Sequence, residues 1–136
     1  MRSMALTTLV AALAPAIASA HVVRHSSIPQ AYWGTWTTRD GGCGDAGKAA
    51  VVLSAKAYVS PAGNCTVDSV SETPSEHGPT YSARLQCTAA VGRTQKKSAA
   101  NLIIRPDGAG HISAGPGFDK LASYQRCDAG RAGAKP

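Results

Sequence analysis

Large apolar side chains are scarce in this sequence of 136 residues, which contains one Phe, two Trp and four Tyr. Leucine is also infrequent, so an interior built from this chain must consist mainly of Val, Ala and Ile. A core of that kind is marginal in a small domain. We therefore expect disulfides, at about 2–4 kcal/mol each, to carry part of the stability.

Long apolar runs and helical periodicity are also missing. After the first twenty residues no apolar stretch approaches the length of a membrane span. No segment repeats its apolar residues at the period of an α-helix. These absences exclude a helical bundle, and they exclude a transmembrane helix after residue 20.

Signatures of catalysis are absent as well. No Gly-x-Ser-x-Gly nucleophile setting occurs, and the eight acidic residues fall mostly in predicted turns. The histidines at positions 21, 25, 77 and 111 form no metalloprotease motif. The sequence predicts a protein that is not an enzyme and that uses no cofactor and no metal.

The net charge of +6 comes from scattered basic residues. The one cluster within the folded region is Arg93, Lys96 and Lys97, and no aromatic residue lies near it. Nucleic-acid-binding proteins concentrate basic and aromatic residues on one face, so we predict no nucleic-acid partner. A solvated turn explains the cluster, and attraction to an acidic partner or an anionic cell envelope is the alternative.

Residues 1–20 have the pattern of a signal peptide. Arg2 precedes an apolar stretch that ends in Ala18-Ser19-Ala20, a small-x-small sequence of the kind that signal peptidase cleaves. The mature protein would begin at His21 and would be periplasmic or secreted. The four cysteines would then lie in an oxidising compartment and form two disulfides.

The sequence after residue 20 predicts one all-β domain. Positions 81–91 alternate between apolar and polar residues over eleven positions, which is typical of a half-buried antiparallel strand. Gly- and Pro-rich turns separate it from seven other candidates. The eight predicted strands are 32–38, 49–54, 57–60, 65–71, 81–91, 98–105, 110–113 and 121–127.

We expect these strands to close into a small antiparallel up-and-down barrel, because closure removes exposed strand edges. The domain would span residues 31–127 and be monomeric. Residues 21–30 would form a flexible N-terminal segment and residues 128–136 a disordered tail, since both have little apolar content.

Four cysteines allow three disulfide pairings. In an up-and-down barrel Cys43 follows the first predicted strand and Cys65 opens the fourth, so both lie at the same rim. This placement favours Cys43–Cys65 together with Cys87–Cys127. The main alternative is Cys65–Cys87, because these residues face each other across the hairpin centred near Ser75.

Both tryptophans lie in one short segment, Trp33-Gly34-Thr35-Trp36. We expect Gly34 to permit a close approach by another part of the chain and Trp36 to fill the barrel floor. Arg126 lies on the strand that would close against the first, where stacking on Trp36 contributes roughly 0.5–2 kcal/mol. A Gly-x-Trp opening with a late Arg resembles the calycin pattern of lipocalins, avidins and small bacterial inhibitors, which implies a barrel fold.

Within that group, Gly34-Thr35-Trp36 followed by Cys43, an apolar strand and Cys65 resembles the small metalloprotease inhibitors of Gram-negative periplasms. That resemblance implies an exported, eight-stranded protein that inserts residues 21–30 into the cleft of a protease, with a Cys43–Cys65 bridge. The chain differs from those proteins in its second cysteine pair and in its His21-Val22-Val23-Arg24 start, where the resemblance implies small residues.

We therefore expect the partner to be an exported protease or another envelope protein. The candidate contact residues are those of the N-terminal segment and of the basic turn: His21, Val22, Val23, Arg24, His25, Arg93, Lys96 and Lys97.

Two other functions stay open at this point. Ala-rich alternating strands leave room for one small apolar ligand inside the barrel. In addition, His21 as a new N-terminus could chelate copper through its α-amine and ring nitrogen, with His77 or His111 as a further ligand.

Overall fold

The fold is described from a computed structural model, which covers residues 11–16, 21–38, 43, 50–108 and 110–127. These residues form a closed antiparallel barrel of eight strands, and a ninth strand pairs with one of the eight. The strands are β1 (Val23–His25), β2 (Gly34–Thr38), β3 (Val51–Leu53), β4 (Ala57–Ser60), β5 (Gly63–Thr73), β6 (Thr80–Val91), β7 (Thr94–Pro106), β8 (His111–Gly115) and β9 (Ala122–Cys127). Short 3-10 turns occupy Gln30–Tyr32 and Phe118–Lys120.

Each barrel strand from β2 to β9 pairs with the next one along the chain, and β9 pairs with β2 to close the barrel. All of the pairings are antiparallel, and one bulge lies in β5 between Val67 and Ser69. The predicted all-β up-and-down barrel is confirmed, and each of the eight predicted strands overlaps one strand of the barrel.

The N-terminal segment differs from its prediction. Val23–His25 form strand β1 and pair with Val70–Glu72 of β5. Ile28 is completely buried in the core, and its backbone N–H donates a 2.9 Å hydrogen bond to the Ala55 carbonyl. Residues 21–30 are therefore not a free segment, because main-chain pairing and one apolar side chain attach them to the barrel.

The barrel has two distinct ends. At the end that we call the open end, β4 joins β5, β6 joins β7 and β8 joins β9. At the opposite end, which we call the closed end, β3 joins β4, β5 joins β6 and β7 joins β8. The 3-10 turn before β2 also lies at the closed end, because β2 starts there.

Large side chains fill the closed end. Trp36 is 1% exposed and packs in one cluster with Ile28, Val70, Tyr81 and Ile104. The alternation predicted for β6 is confirmed from Tyr81 to Cys87, where the apolar positions face this core and the polar positions face outward. It does not extend to the end of the strand, because Val91 is exposed. The floor of the barrel is therefore a packed aromatic and aliphatic layer.

The predicted contact between Trp36 and Arg126 is also confirmed. The Arg126 guanidinium carbon lies 4.4 Å from the centroid of the Trp36 ring. The guanidinium donates hydrogen bonds to the carbonyls of Trp33, at 2.6 Å, and of Ala31. Gly34 has a φ of +130°, and a side chain there would meet the Arg126 guanidinium at 3.2 Å. The positive φ favours glycine at this position, and a larger residue would also make the guanidinium shift by a few tenths of an ångström.

The favoured disulfide pairing is wrong. The bridges are Cys65–Cys87 and Cys43–Cys127, and no described cysteine is free. Cys65 and Cys87 are register partners on β5 and β6, with Cα atoms 3.9 Å apart, so each is the other's nearest possible partner. Cys43 bonds instead to the end of β9, where Cys127 and Thr37 are buried side by side on the outer face of the barrel.

Candidate functional site

A cavity of about 390 Å³ occupies the open half of the barrel. Every strand from β3 to β9 contributes to its wall, and its rim is formed by the strand connections at the open end. The volume is within the range of small-molecule binding sites in proteins, at its lower limit.

The cavity exists because the inward-facing residues of the open half are small. Gly63, Ser98, Ala100, Ala114 and Ala122 all line it. One layer deeper, the inward-facing positions carry Leu53, Leu85, Leu102 and Ile112, which form the bottom of the cavity. The same strands therefore fill one half of the barrel and leave the other half hollow.

The Cys65–Cys87 disulfide is part of the cavity wall. It joins β5 to β6, and it adds a polarisable apolar surface to the lining. Because the bond joins β5 to β6 at the level of the cavity, it also limits how far these two strands can move apart.

Polar groups in the cavity are few. Burial raises the pKa of Tyr58, and the neighbouring Tyr124 adds to this rise, while a hydrogen bond with Ser60 opposes it. Tyr58 is therefore uncharged at neutral pH, and its hydroxyl can donate a hydrogen bond to a ligand. Among the described lining residues only Lys120 carries a charge, and it lies at the mouth.

The rim beside Lys120 is held against strand β8. A Cβ atom placed on Gly115 would come within 2.1 Å of the Lys120 carbonyl oxygen, so only glycine allows the two backbone segments to lie this close. The connection from β8 to β9 is thereby kept at the mouth, and the exposed ring of Phe118 lies within it.

The predicted N-terminal contact residues lie at the closed end. His21 and Val22 are exposed ahead of β1, while Val23 and Arg24 are exposed within it. His25 is half-buried, and its Nε2 atom lies 3.4 Å from the Glu72 carboxylate. Three of the five residues, those of β1, are thus paired with the edge of β5.

The basic turn lies at the opposite end of the molecule. Arg93 occupies the turn between β6 and β7, and Lys96 and Lys97 follow on the exposed start of β7. The two predicted contact segments are therefore separated by the length of the barrel and do not form one surface.

No group of three or more His, Cys, Asp or Glu side chains within the described residues is arranged to hold a metal ion. Within the same residues, no helix has the length and apolar character needed to cross a membrane.

The cavity-lining residues were not identified individually from the sequence. Their signal is the small size of the inward positions near the open end, for example Ala100 on β7 and Ala114 on β8. This signal becomes readable only once the register of neighbouring strands is known, because register decides which small residues share one level of the barrel.

Comparison with known proteins does not add a function. No protein-family model, no curated protein and no solved structure matches this chain significantly.

Proposed function

We propose that this protein is an exported binding protein that holds one small, mainly apolar molecule in the open half of its barrel. The observation that carries the proposal is the cavity of about 390 Å³, lined mostly by apolar side chains, above a fully packed floor. A concave apolar site with a few fixed polar groups is the usual form of a small-molecule site. The Tyr58 hydroxyl and Lys120 are the groups that would orient the ligand.

Inhibition of a protease by residues 21–30 is not the function that we propose. That mechanism needs a segment that is free to extend into a cleft. In a mature chain that begins at His21, the pairing of β1 with β5 and the burial of Ile28 leave two residues, His21 and Val22, ahead of the attached part.

A binding measurement with a neutral apolar fluorophore, N-phenylnaphthylamine, tests the proposal. Ala100→Phe places a ring in the cavity and should weaken binding at least tenfold. Ala99→Phe is the matched control, because Ala99 precedes Ala100 on β7 but is exposed on the outer face. Equal binding by the two variants would contradict the cavity as the binding site.

Export is tested separately. The signal-peptide pattern of residues 1–20 and the two disulfides support it. N-terminal sequencing of protein recovered outside the cytoplasm should begin at His21. Recovery of the protein only from the cytoplasm, with Met1 retained, would contradict export.

A further inference from the structure

Basic residues lie at both ends of the barrel, but the acidic residues that offset them are concentrated at the closed end. The described residues 58–66, 86–101 and 114–124 surround the cavity mouth, and their basic members are Arg93, Lys96, Lys97 and Lys120. The same residues include one carboxylate, that of Asp119. At or near the closed end, by contrast, three acidic residues, Glu72, Glu76 and Asp107, offset most of the charge of the described basic residues there, which are Arg24, Lys56, Arg105 and Arg126.

The segment from 39 to 49 does not alter this balance. Its charged residues are two basic and two acidic, so their formal charges cancel. The open end therefore carries a local excess of positive charge, which favours an anionic partner.

Exposed apolar side chains lie on two of the same connections. Phe118 is 66% exposed in the connection from β8 to β9, and Val91 is 56% exposed beside the β6–β7 turn. Apolar side chains that project among basic residues are typical of surfaces that enter the interfacial region of an anionic bilayer. Two separated projections suit a soft, continuous surface better than a protein pocket.

We propose that the open end of the barrel docks onto an anionic membrane surface, with Phe118 and Val91 entering the interface and the basic residues facing the lipid phosphates. Such docking places the cavity mouth against the lipid, which is where an apolar ligand would be most concentrated.

Cosedimentation with vesicles tests this docking. The intact protein should bind vesicles that contain phosphatidylglycerol and should not bind vesicles of phosphatidylcholine alone. Lys96→Gln with Lys97→Gln should weaken binding about 25-fold, since each basic residue contributes roughly fivefold near an anionic surface. Added salt should release the protein, because surface charges are screened over about 10 Å at 0.1 M.

The matched control removes two charges from the other end. Arg24 and Lys56 are exposed at or near the closed end, and Arg24→Gln with Lys56→Gln changes the net charge by the same amount. This pair should leave vesicle binding unchanged. An equal loss in both pairs would overturn the proposal, because net charge alone would then explain the attraction.

A separate pair of variants tests how much the exposed apolar side chains contribute to vesicle binding. Phe118→Ser should weaken vesicle binding, whereas Val52→Ser on the exposed side wall of the barrel should not. Binding to an acidic polypeptide such as polyglutamate, with none to the anionic vesicles, would assign the surface to a protein and overturn the proposal. Size-exclusion chromatography compares the oligomeric state of each variant with that of the intact protein, since lysines on a strand edge also prevent strand pairing.

Vesicle binding and ligand binding can fail independently. The vesicle measurements contain no fluorophore, and the fluorophore measurements contain no lipid. Fluorophore binding without vesicle binding would leave the cavity function in place and reject the docking surface alone.

Discussion

Arg126 joins three parts of the chain at the closed end. Its guanidinium lies on the Trp36 ring, and it donates hydrogen bonds to backbone carbonyls of the segment before β2. One side chain therefore ties the last strand, the first barrel strand and the preceding 3-10 turn together.

We expect Arg126→Met to destabilise the protein by about 2–4 kcal/mol, because the apolar stem is kept while the stacking and the charged hydrogen bonds are lost. Denaturant unfolding measures the change. Arg84→Met is the control, since Arg84 is exposed on β6, and its effect should stay within about 0.5 kcal/mol. Similar losses in the two variants would mean that Arg126 has no special structural role.

Ionisation of Tyr81 is expected to lower the stability of the fold at alkaline pH. Burial raises the pKa of Tyr81 to about 12, and the hydrogen bond and charge of Glu72 add to the rise. The folded state therefore favours the protonated phenol. The corresponding stability is fully present below pH 10, the ordinary pKa of tyrosine, and is lost as the pH rises toward 12.

Replacement of Tyr81 by Phe should remove this part of the alkaline destabilisation. The free energy of unfolding of the wild type should fall more steeply between pH 10 and pH 12 than that of Tyr81→Phe. Denaturant unfolding across this range, with tyrosinate absorbance recorded in parallel, measures both slopes. Parallel slopes would show that another group causes the alkaline loss.

The two disulfides close loops of different length. Cys43–Cys127 spans 84 positions and links the chain after β2 to the end of β9, whereas Cys65–Cys87 spans 22 positions within one hairpin. A longer loop loses more conformational entropy in the unfolded chain when it is closed.

Removal of Cys43–Cys127 by paired Ala substitutions should therefore cost about 1 kcal/mol more than removal of Cys65–Cys87. Thermal or denaturant unfolding of the two double variants gives the comparison. Mass spectrometry of an unreduced digest should also recover Cys65 bonded to Cys87. A larger loss from the hairpin bond would contradict loop entropy as the source of the difference.

Strands were predictable from the sequence because their signals are local. The alternation of β6 and the turn residues at Pro61 or Gly92 act within a few positions, and they place eight strands without tertiary information. The Arg126–Trp36 contact was predictable as well, since an up-and-down order brings the last strand beside the first.

Disulfide pairing and the cavity were not predictable in the same way. Hairpin geometry places Cys65 opposite Cys87 as the main alternative, which is confirmed. The choice between it and Cys43–Cys65 depends on the exact register, which a rim argument does not resolve. The cavity depends on small residues, among them Ala100, Ala114 and Ala122, all facing inward in the open half of the barrel. Strand β1 was missed because three residues are too short for a periodic signal.

Ligand binding to the cavity should be visible in the stability of the whole molecule. A ligand that binds only the folded state stabilises it by about 2.7 kcal/mol at one hundred times its dissociation constant. We expect N-phenylnaphthylamine to raise the midpoint of thermal unfolding of the wild type and of Ala99→Phe.

The same compound should leave the midpoint of Ala100→Phe unchanged, because the added ring occupies its place in the cavity. Differential scanning calorimetry at several ligand concentrations measures both responses. An equal rise in Ala100→Phe would mean that the stabilising site lies elsewhere on the barrel.

Strand β1 starts at Val23 and strand β9 stops at Cys127, and both of these points lie at the closed end. A fusion partner or a surface linker joined at either point would therefore leave from the side opposite the cavity mouth. Tethered through one terminus, the barrel would present its mouth outward, and two copies linked through these points would present their mouths in opposite directions.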